Sequence, residues 1–221
     1  MVRPLILALV ALLPWVIKKP VMARLFGYRF STGARIGLAL VDAREVDLGP
    51  NSSIGAFTII RNLERLELGA EAKIGTFNWI FGAQNTGGSF AEEIGRYSAL
   101  VLGVGAAITS RHLIDCIDRV DIGAFTTVAG YRSQFLTHAI DLRRNRQSCA
   151  PIQIGAHCFI GTGVIVLKGV TIPDRCAIGA GTVVGKSLPD EGFIYGGNPV
   201  QQRRAIDSHE RYFSRTSARV K

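Results

Sequence analysis

A strict six-residue period runs from Ile154 to Pro189, as IGAHCF, IGTGVI, VLKGVT, IPDRCA, IGAGTV and VGKSLP. Every hexad opens on Ile or Val (Ile154, Ile160, Val166, Ile172, Ile178, Val184), and four place Gly second (Gly155, Gly161, Gly179, Gly185). An amphipathic helix repeats its apolar residues every three or four positions, and a half-buried strand repeats them every two. A period of six is neither. It specifies a short flat segment with one inward aliphatic, a tight corner, and the same again, which is the hexapeptide form of a β-helix. Each β-branched residue packs beneath its equivalent in the next coil, with Gly and small polar residues at the corners.

The rest of the chain fits such a solenoid. Its 221 residues suit one domain with appendages. Hydrophobic residues make up 48% but aromatics only 8%, as a thin aliphatic core requires. The four cysteines, Cys116, Cys149, Cys158 and Cys176, form no CxxC pair and read as free thiols in a reducing compartment. The net charge is +9, with Arg and Lys gathered near both ends. No nucleic-acid motif accompanies it, so no nucleic-acid partner is expected. The charge points instead to an anionic membrane surface or a phosphate-bearing ligand.

Residues 1–30 form a separate apolar and basic helical segment. Pro4 to Ile17 is apolar, between Arg3 and Lys18-Lys19. It is shorter than the about 20 residues a spanning helix needs, and Pro14 interrupts it. Trp15 beside two lysines is interfacial chemistry. Two readings stay open: a monotopic, re-entrant or surface-lying anchor on the cytoplasmic face of the plasma membrane, or a helix packed on the solenoid end or in a subunit contact.

Residues 31–198 are expected to form the solenoid. The rhythm starts at Gly33, with Leu48, Ile54 and Ile60 six apart and Leu68, Ile74 and Ile80 six apart. A frame shift of two lies between these runs. Ile80, Ile94, Ile108 and Ile122, each fourteen apart, suggest coils with insertions. The period stops at Gln134 and returns at Ile152, leaving a charged loop within 131–153 where function is expected. From Pro199 a C-terminal helix to about Arg215, with a basic tail to 221, is expected to cap the open end.

At Thr137-His138-Ala139-Ile140-Asp141, then PIQIG, the hexads, IGAG, Lys186 and GGNP, the chain resembles the hexapeptide-repeat acyltransferases, especially the maltose, galactoside and nodulation-type O-acetyltransferases. The resemblance is close over 137–204, loose over 33–136 and absent over 1–30. It implies a mainly β fold, a left-handed parallel β-helix. It also implies a homotrimer binding acetyl-CoA as co-substrate between neighbouring subunits, with no metal required. His138 matches the catalytic base, and Asp141 is either its orienter or a turn residue. Thr162 and Ala180 stand where the family meets the pantetheine arm. Lys186 and Arg204 match residues facing the CoA phosphates, and Gly185 replaces a frequent Thr.

On the acceptor side the family's Asn and Asp fall near Thr109 and Ile117, where neither residue type stands. Ser110, His112, Asp115 and Asn85 are the substrate-binding candidates, with Asp118, Asn78 and Arg132 as neighbours. A different acceptor is therefore expected, a saccharide or lipid-linked glycan of cell-envelope polysaccharide assembly. Two other readings remain. One is a non-catalytic hexapeptide scaffold. The other is a γ-carbonic-anhydrase-like metalloenzyme, which needs three zinc-binding histidines including a pair about one hexad apart. His112, His138, His157 and His209 include no such pair.

Overall fold

The computed structural model describes residues 2–84, 90 and 93–220. Within these, parallel strands stack into a three-sided coil. One side is a sheet running from Arg35–Ile36 through Ser53–Ile54, Lys73–Ile74, Ala107–Ile108, Thr127–Val128 and Phe159–Ile160 to Ala177–Ile178. The other two sides belong to one twelve-stranded sheet, folded at the long strand Ile59–Leu68. That strand pairs with Trp79–Gly82 through its first residues and with Ala99–Leu102 through its last.

The hexads stack as their period requires. Ile154 lies over Ile172, Ile160 over Ile178 and Val166 over Val184. The inward column Ile54, Ile74, Ile108, Val128, Ile160 and Ile178 is buried throughout. Fully burying such a side chain is worth about 1.5–3 kcal/mol, so this column is the thermodynamic spine. Many of the second-position glycines, Gly155 and Gly161 among them, are needed for close coil approach, whereas Gly179 and Gly185 in the last coils have room for a Cβ. A Cβ on Gly123 would lie 2.5 Å from the Ala156 nitrogen, and one on Gly75 would lie 2.2 Å from the Thr109 carbonyl oxygen.

The frame shift has a physical cause. Leu40–Leu48 and Ile59–Leu68 each run across two sides without breaking, and their pairing slips between Val41 and Ala43. The fourteen-residue spacing is not a stacking period. Ile80, Ile108 and Ile122 are buried in three strands on different sides of the coil, and Ile94 is 99% exposed.

The N-terminal segment is two helices, α1 (Val2–Ala11) and α2 (Trp15–Phe26), divided at Pro14. They cover the open end of the coil. Leu7, Val10 and Met22 face inward, and Trp15 packs edge-on against Phe30 at 5.2 Å. Lys18 does not point to solvent as interfacial chemistry would have it. It is buried, and its ammonium donates to the carbonyls of Ala11, at the end of α1, and Gly37, in the first coil (both 2.7 Å). Burial lowers its pKa. A cation at a helix C-terminus is stabilising, and here it joins the helix to the solenoid.

The expected C-terminal helix is not formed. Gln201–Ala205 is a strand, antiparallel to Phe193–Gly196, and one 3-10 turn spans Arg211–Ser214. The last coil offers an unpaired edge, and the chain after Pro199 pairs with it. The tail then returns along the outside of the first side. Tyr212 packs on Phe159 and donates to the Cys158 carbonyl (2.9 Å), and Arg215 donates to Phe125 and Thr127.

Candidate active site

The excursion begins later than the sequence period suggests. Gln134–Leu136 is still a strand of the coil, between Leu113–Cys116 and Ile165–Leu167, with Phe135 inward and fully buried. The chain leaves at His138 and forms a hairpin, His138–Asp141 against Arg146–Cys149, before rejoining at Ile152. Asp141 is the turn residue of that hairpin, accepting from the amides of Arg143 (3.0 Å) and Arg144 (3.2 Å). It does not orient His138.

Asp115 does. It lies one coil earlier, opposite Leu136 in the ladder, and is 0% exposed. Its carboxylate takes a short hydrogen bond from His138 Nδ1, and it accepts from the amides of His138 (3.2 Å) and Ile117 (2.8 Å). Thr137 fixes both partners: its hydroxyl donates to the Asp115 carbonyl (3.1 Å) and accepts from the Asp118 amide (3.0 Å). A carboxylate only accepts, so Nδ1 carries the proton and the lone pair is on Nε2. The His138 side chain is 33% exposed. The bond to Asp115 raises its pKa above the ordinary imidazole value, against burial and the charge of Lys168. Phe90 meets the ring edge-on at 5.6 Å.

The stacking register then sorts the remaining candidates. Val166 over Val184 puts Lys168 and Lys186 in equivalent positions after that side, at the edge where His138 leaves the coil. Lys186 and Gly185 are exposed, and Lys168 donates to the Ser148 carbonyl in the hairpin (3.4 Å). Thr162 and Ala180 stack on a different edge, a full side of the coil away. Both are exposed, and the Thr162 hydroxyl is engaged by Tyr131, donating to its carbonyl (2.8 Å) and accepting from its amide (3.1 Å). Arg204 lies on the terminal hairpin, exposed and paired with Glu210 (2.6 Å). A single chain therefore puts Lys186 on the His138 edge, one coil beyond Lys168, and Thr162 with Ala180 on another edge, and does not bring the two groups together.

Of the substrate-binding candidates among the described residues, none is presented to a ligand beside His138. Asp115 is consumed in holding the imidazole. His112 is buried: its Nδ1 accepts from the Ser133 amide (3.1 Å), so Nε2 donates to Thr109 Oγ1 (2.9 Å). Burial lowers its pKa to about 4, so it is neutral and structural. Asn78, also buried, binds the His112 amide and the Thr109 carbonyl (both 2.9 Å). Ser110 shares a hydrogen bond with Thr76 Oγ1 (3.0 Å) on the edge that carries Thr162. Asn85 lies outside the described residues.

The sequence did not single out a cavity of about 530 Å³ beside the hairpin, lined by Glu93, Tyr97, Asp118, Arg119 and Cys149 among others. Nor did it single out Lys168, although eighteen residues before Lys186 is one coil of the repeat.

The class is thus a hexapeptide-repeat β-helix with an Asp-held histidine at one edge. Residues 151–186 match the family model described as the hexapeptide repeat of succinyl-transferase. The galactoside O-acetyltransferase of Escherichia coli is 35% identical over 74 residues, 33% of this chain and 36% of that protein. The Bacillus subtilis protein YvoF is 33% identical over 84 residues, 38% of this chain and 46% of that protein. The chain thus spans less than half the length of these curated relatives. In fold it is similar to the polysialic acid O-acetyltransferase OatWY (TM-score 0.61, 18% identity, covering 86% of this chain and 90% of that one). It is also similar to AntD, an N-acyltransferase from Bacillus cereus solved with dTDP and 3-hydroxybutyryl-CoA (TM-score 0.54, 17% identity, 86% and 88%). Repeat and fold are like those of a hexapeptide-repeat protein, and the mainly β, parallel β-helix expected from the resemblance is the fold class observed.

Proposed function

We propose that this protein is an acyl-CoA-dependent O-acyltransferase, acetyl-CoA being the donor, with His138 as general base. The observation that carries this reading is the buried Asp115 carboxylate on Nδ1, which leaves the exposed Nε2 as a proton acceptor. A saccharide hydroxyl is a poor nucleophile at neutral pH. As its oxygen attacks the thioester carbonyl carbon, Nε2 takes the hydroxyl proton. The carbon–sulfur bond then breaks, and the departing CoA sulfur takes the proton back from the imidazolium. General-base help of this kind is worth roughly 10²–10⁴ in rate. Cys149, the thiol nearest His138, has its pKa pushed up to about 12 by burial, Asp118 and Glu93, which makes it a poor covalent relay.

Lys186 on the His138 edge suits the CoA phosphates, and the small Ala180 with Thr162 on the other edge suits the pantetheine arm. One chain keeps these edges apart, so a second copy is needed to lay its Thr162 edge against His138. This supports a homotrimer with the donor in the cleft between subunits. The acceptor is a saccharide or lipid-linked glycan of cell-envelope assembly.

The cap supports membrane contact. α1 buries Leu7 and Val10 but exposes Leu5 and Leu9, with Leu12 exposed in the turn that follows it, and Val16, Ile17 and Leu25 are also exposed. No carboxylate precedes Asp42, while Lys19 and Arg24 lie in α2. Among the described residues no helix is long and apolar enough to cross a membrane, so contact with an anionic leaflet is at its surface. Sedimentation with anionic vesicles tests this: Leu9→Glu with Leu12→Glu should leave the protein in the supernatant, and unchanged pelleting would reject it.

The activity is tested by thiol release from acetyl-CoA over a panel of sugars, nucleotide-sugars and glycolipid extract. Acceptor-dependent release is expected. Failure to bind CoA at all would favour a non-catalytic scaffold.

A further inference from the structure

We infer that the cavity beside the hairpin is the acceptor site, and that it takes an uncharged or amino-bearing sugar unit in preference to an acidic one. This rests on the transfer reading above and adds to it where the acceptor sits and which sugars it admits.

The cavity's position follows from the hairpin. Cys149, in its wall, is the direct ladder partner of His138. Directly opposed residues of an antiparallel pair project to the same face, with Cβ atoms about 5 Å apart. A ligand against Cys149 is therefore within reach of the histidine. The volume, about 530 Å³, is that of a small-ligand pocket.

Its charge follows from what each group already does. Arg119 is spent on Asp121, with Nε 2.8 and 2.7 Å from the two carboxylate oxygens. Arg96 donates to the backbone carbonyls of Ile117 (3.0 Å) and Gln84 (3.2 Å) and lies over the Phe90 ring. Glu93 and Asp118 flank the Cys149 thiol, which is 3.9 Å from Glu93 Oε2. With three carboxylates against two guanidiniums the lining is net acidic. Carboxylates accept from hydroxyls or an ammonium and repel a uronate, sialate or phosphate. Tyr97, exposed in the wall, adds an aromatic ring suited to the apolar side of a pyranose.

The test is saturation-transfer NMR of neutral, amino- and carboxylate-bearing saccharides with the full-length protein, its Glu93→Gln and Asp118→Asn variants, and His138→Ala, alongside acceptor kinetics. Glu93 is at the surface, so its substitution spares the fold even if Asp118→Asn, which puts a donor NH2 in place of one oxygen of the carboxylate that holds the Tyr97 and Arg119 amides, does not. Neutral or amino sugars should receive saturation and acidic analogues should not. Each pocket variant should raise the acceptor KM about tenfold to a hundredfold, the range of a hydrogen bond to a charged group, with the acetyl-CoA KM unchanged. Sugar binding should survive in His138→Ala. Unaltered binding and KM in both pocket variants, equal binding of acidic analogues, or no binding of any neutral or amino sugar would overturn the assignment. Full turnover by His138→Ala would instead overturn the transfer reading, and leaves the binding result to be judged separately.

Discussion

Asp115 and His138 lie 23 residues apart in sequence and share a short hydrogen bond, the carboxylate fully buried and the imidazole at the mouth of the hairpin. This pairing fixes the tautomer and raises the imidazole pKa. A base works only when deprotonated, so the acid limb of the rate profile should lie above the ordinary imidazole value of about 6.5. Asp115→Asn should lower the plateau rate at least about tenfold, part of the range for general-base help. It should also move that limb to lower pH. A pH–rate profile of thiol release checks both, and an unmoved limb would contradict the pairing.

His112 makes the opposite prediction, and for stability. Burial depresses its folded pKa to about 4, while the unfolded imidazole titrates near 6.5. Between these values the unfolded state binds the extra proton. The stability present above about 6.5 is therefore lost as pH falls toward about 4. Urea midpoints across this window should fall for the natural chain and fall less steeply for His112→Gln.

Lys18→Met should loosen the cap. It leaves the buried Ala11 carbonyl without its donor, at about 1–3 kcal/mol for a buried group that loses its partner, and breaks the tie to the exposed Gly37 carbonyl. Urea unfolding measures the loss, and an unchanged midpoint would show that the buried ammonium contributes nothing net.

Ile160→Ala should cost about 2–5 kcal/mol, because Val128 and Ile178 are held in register on either side and cannot close the gap. Phe159 next to it points outward onto Tyr212, so Phe159→Ala should cost less in the same denaturation assay.

Where the period is strict, residues 154–189, the sequence stated both fold and register: an eighteen-residue coil puts Ile160 under Ile178 without further information. It was silent where local chemistry and coil length interact. Leu40–Leu48 and Ile59–Leu68 carry two sides each, so the hexad frame breaks although the stack does not. Asp115 was legible as an acid but not as the partner of His138, because that contact depends on counting coils across an irregular corner. Lys18 and Pro199 carried local signals, an interfacial cation and a helix start, that tertiary pairing overrode: two orphan carbonyls claimed one, and the open strand edge claimed the residues after the other. Of the carboxylates of the hairpin cavity, only Asp121 sits in a strand of the stack, beside Ile122; Glu93 and Asp118 come from the irregular connections between strands.

The central claim is that His138 accepts the acceptor's proton. The most direct measurement is acetyl-CoA thiol release by His138→Ala, with the circular dichroism spectrum and CoA affinity of the same sample. A loss of at least about a hundredfold with fold and CoA binding intact is predicted. Turnover within a few-fold of the natural chain would contradict the account.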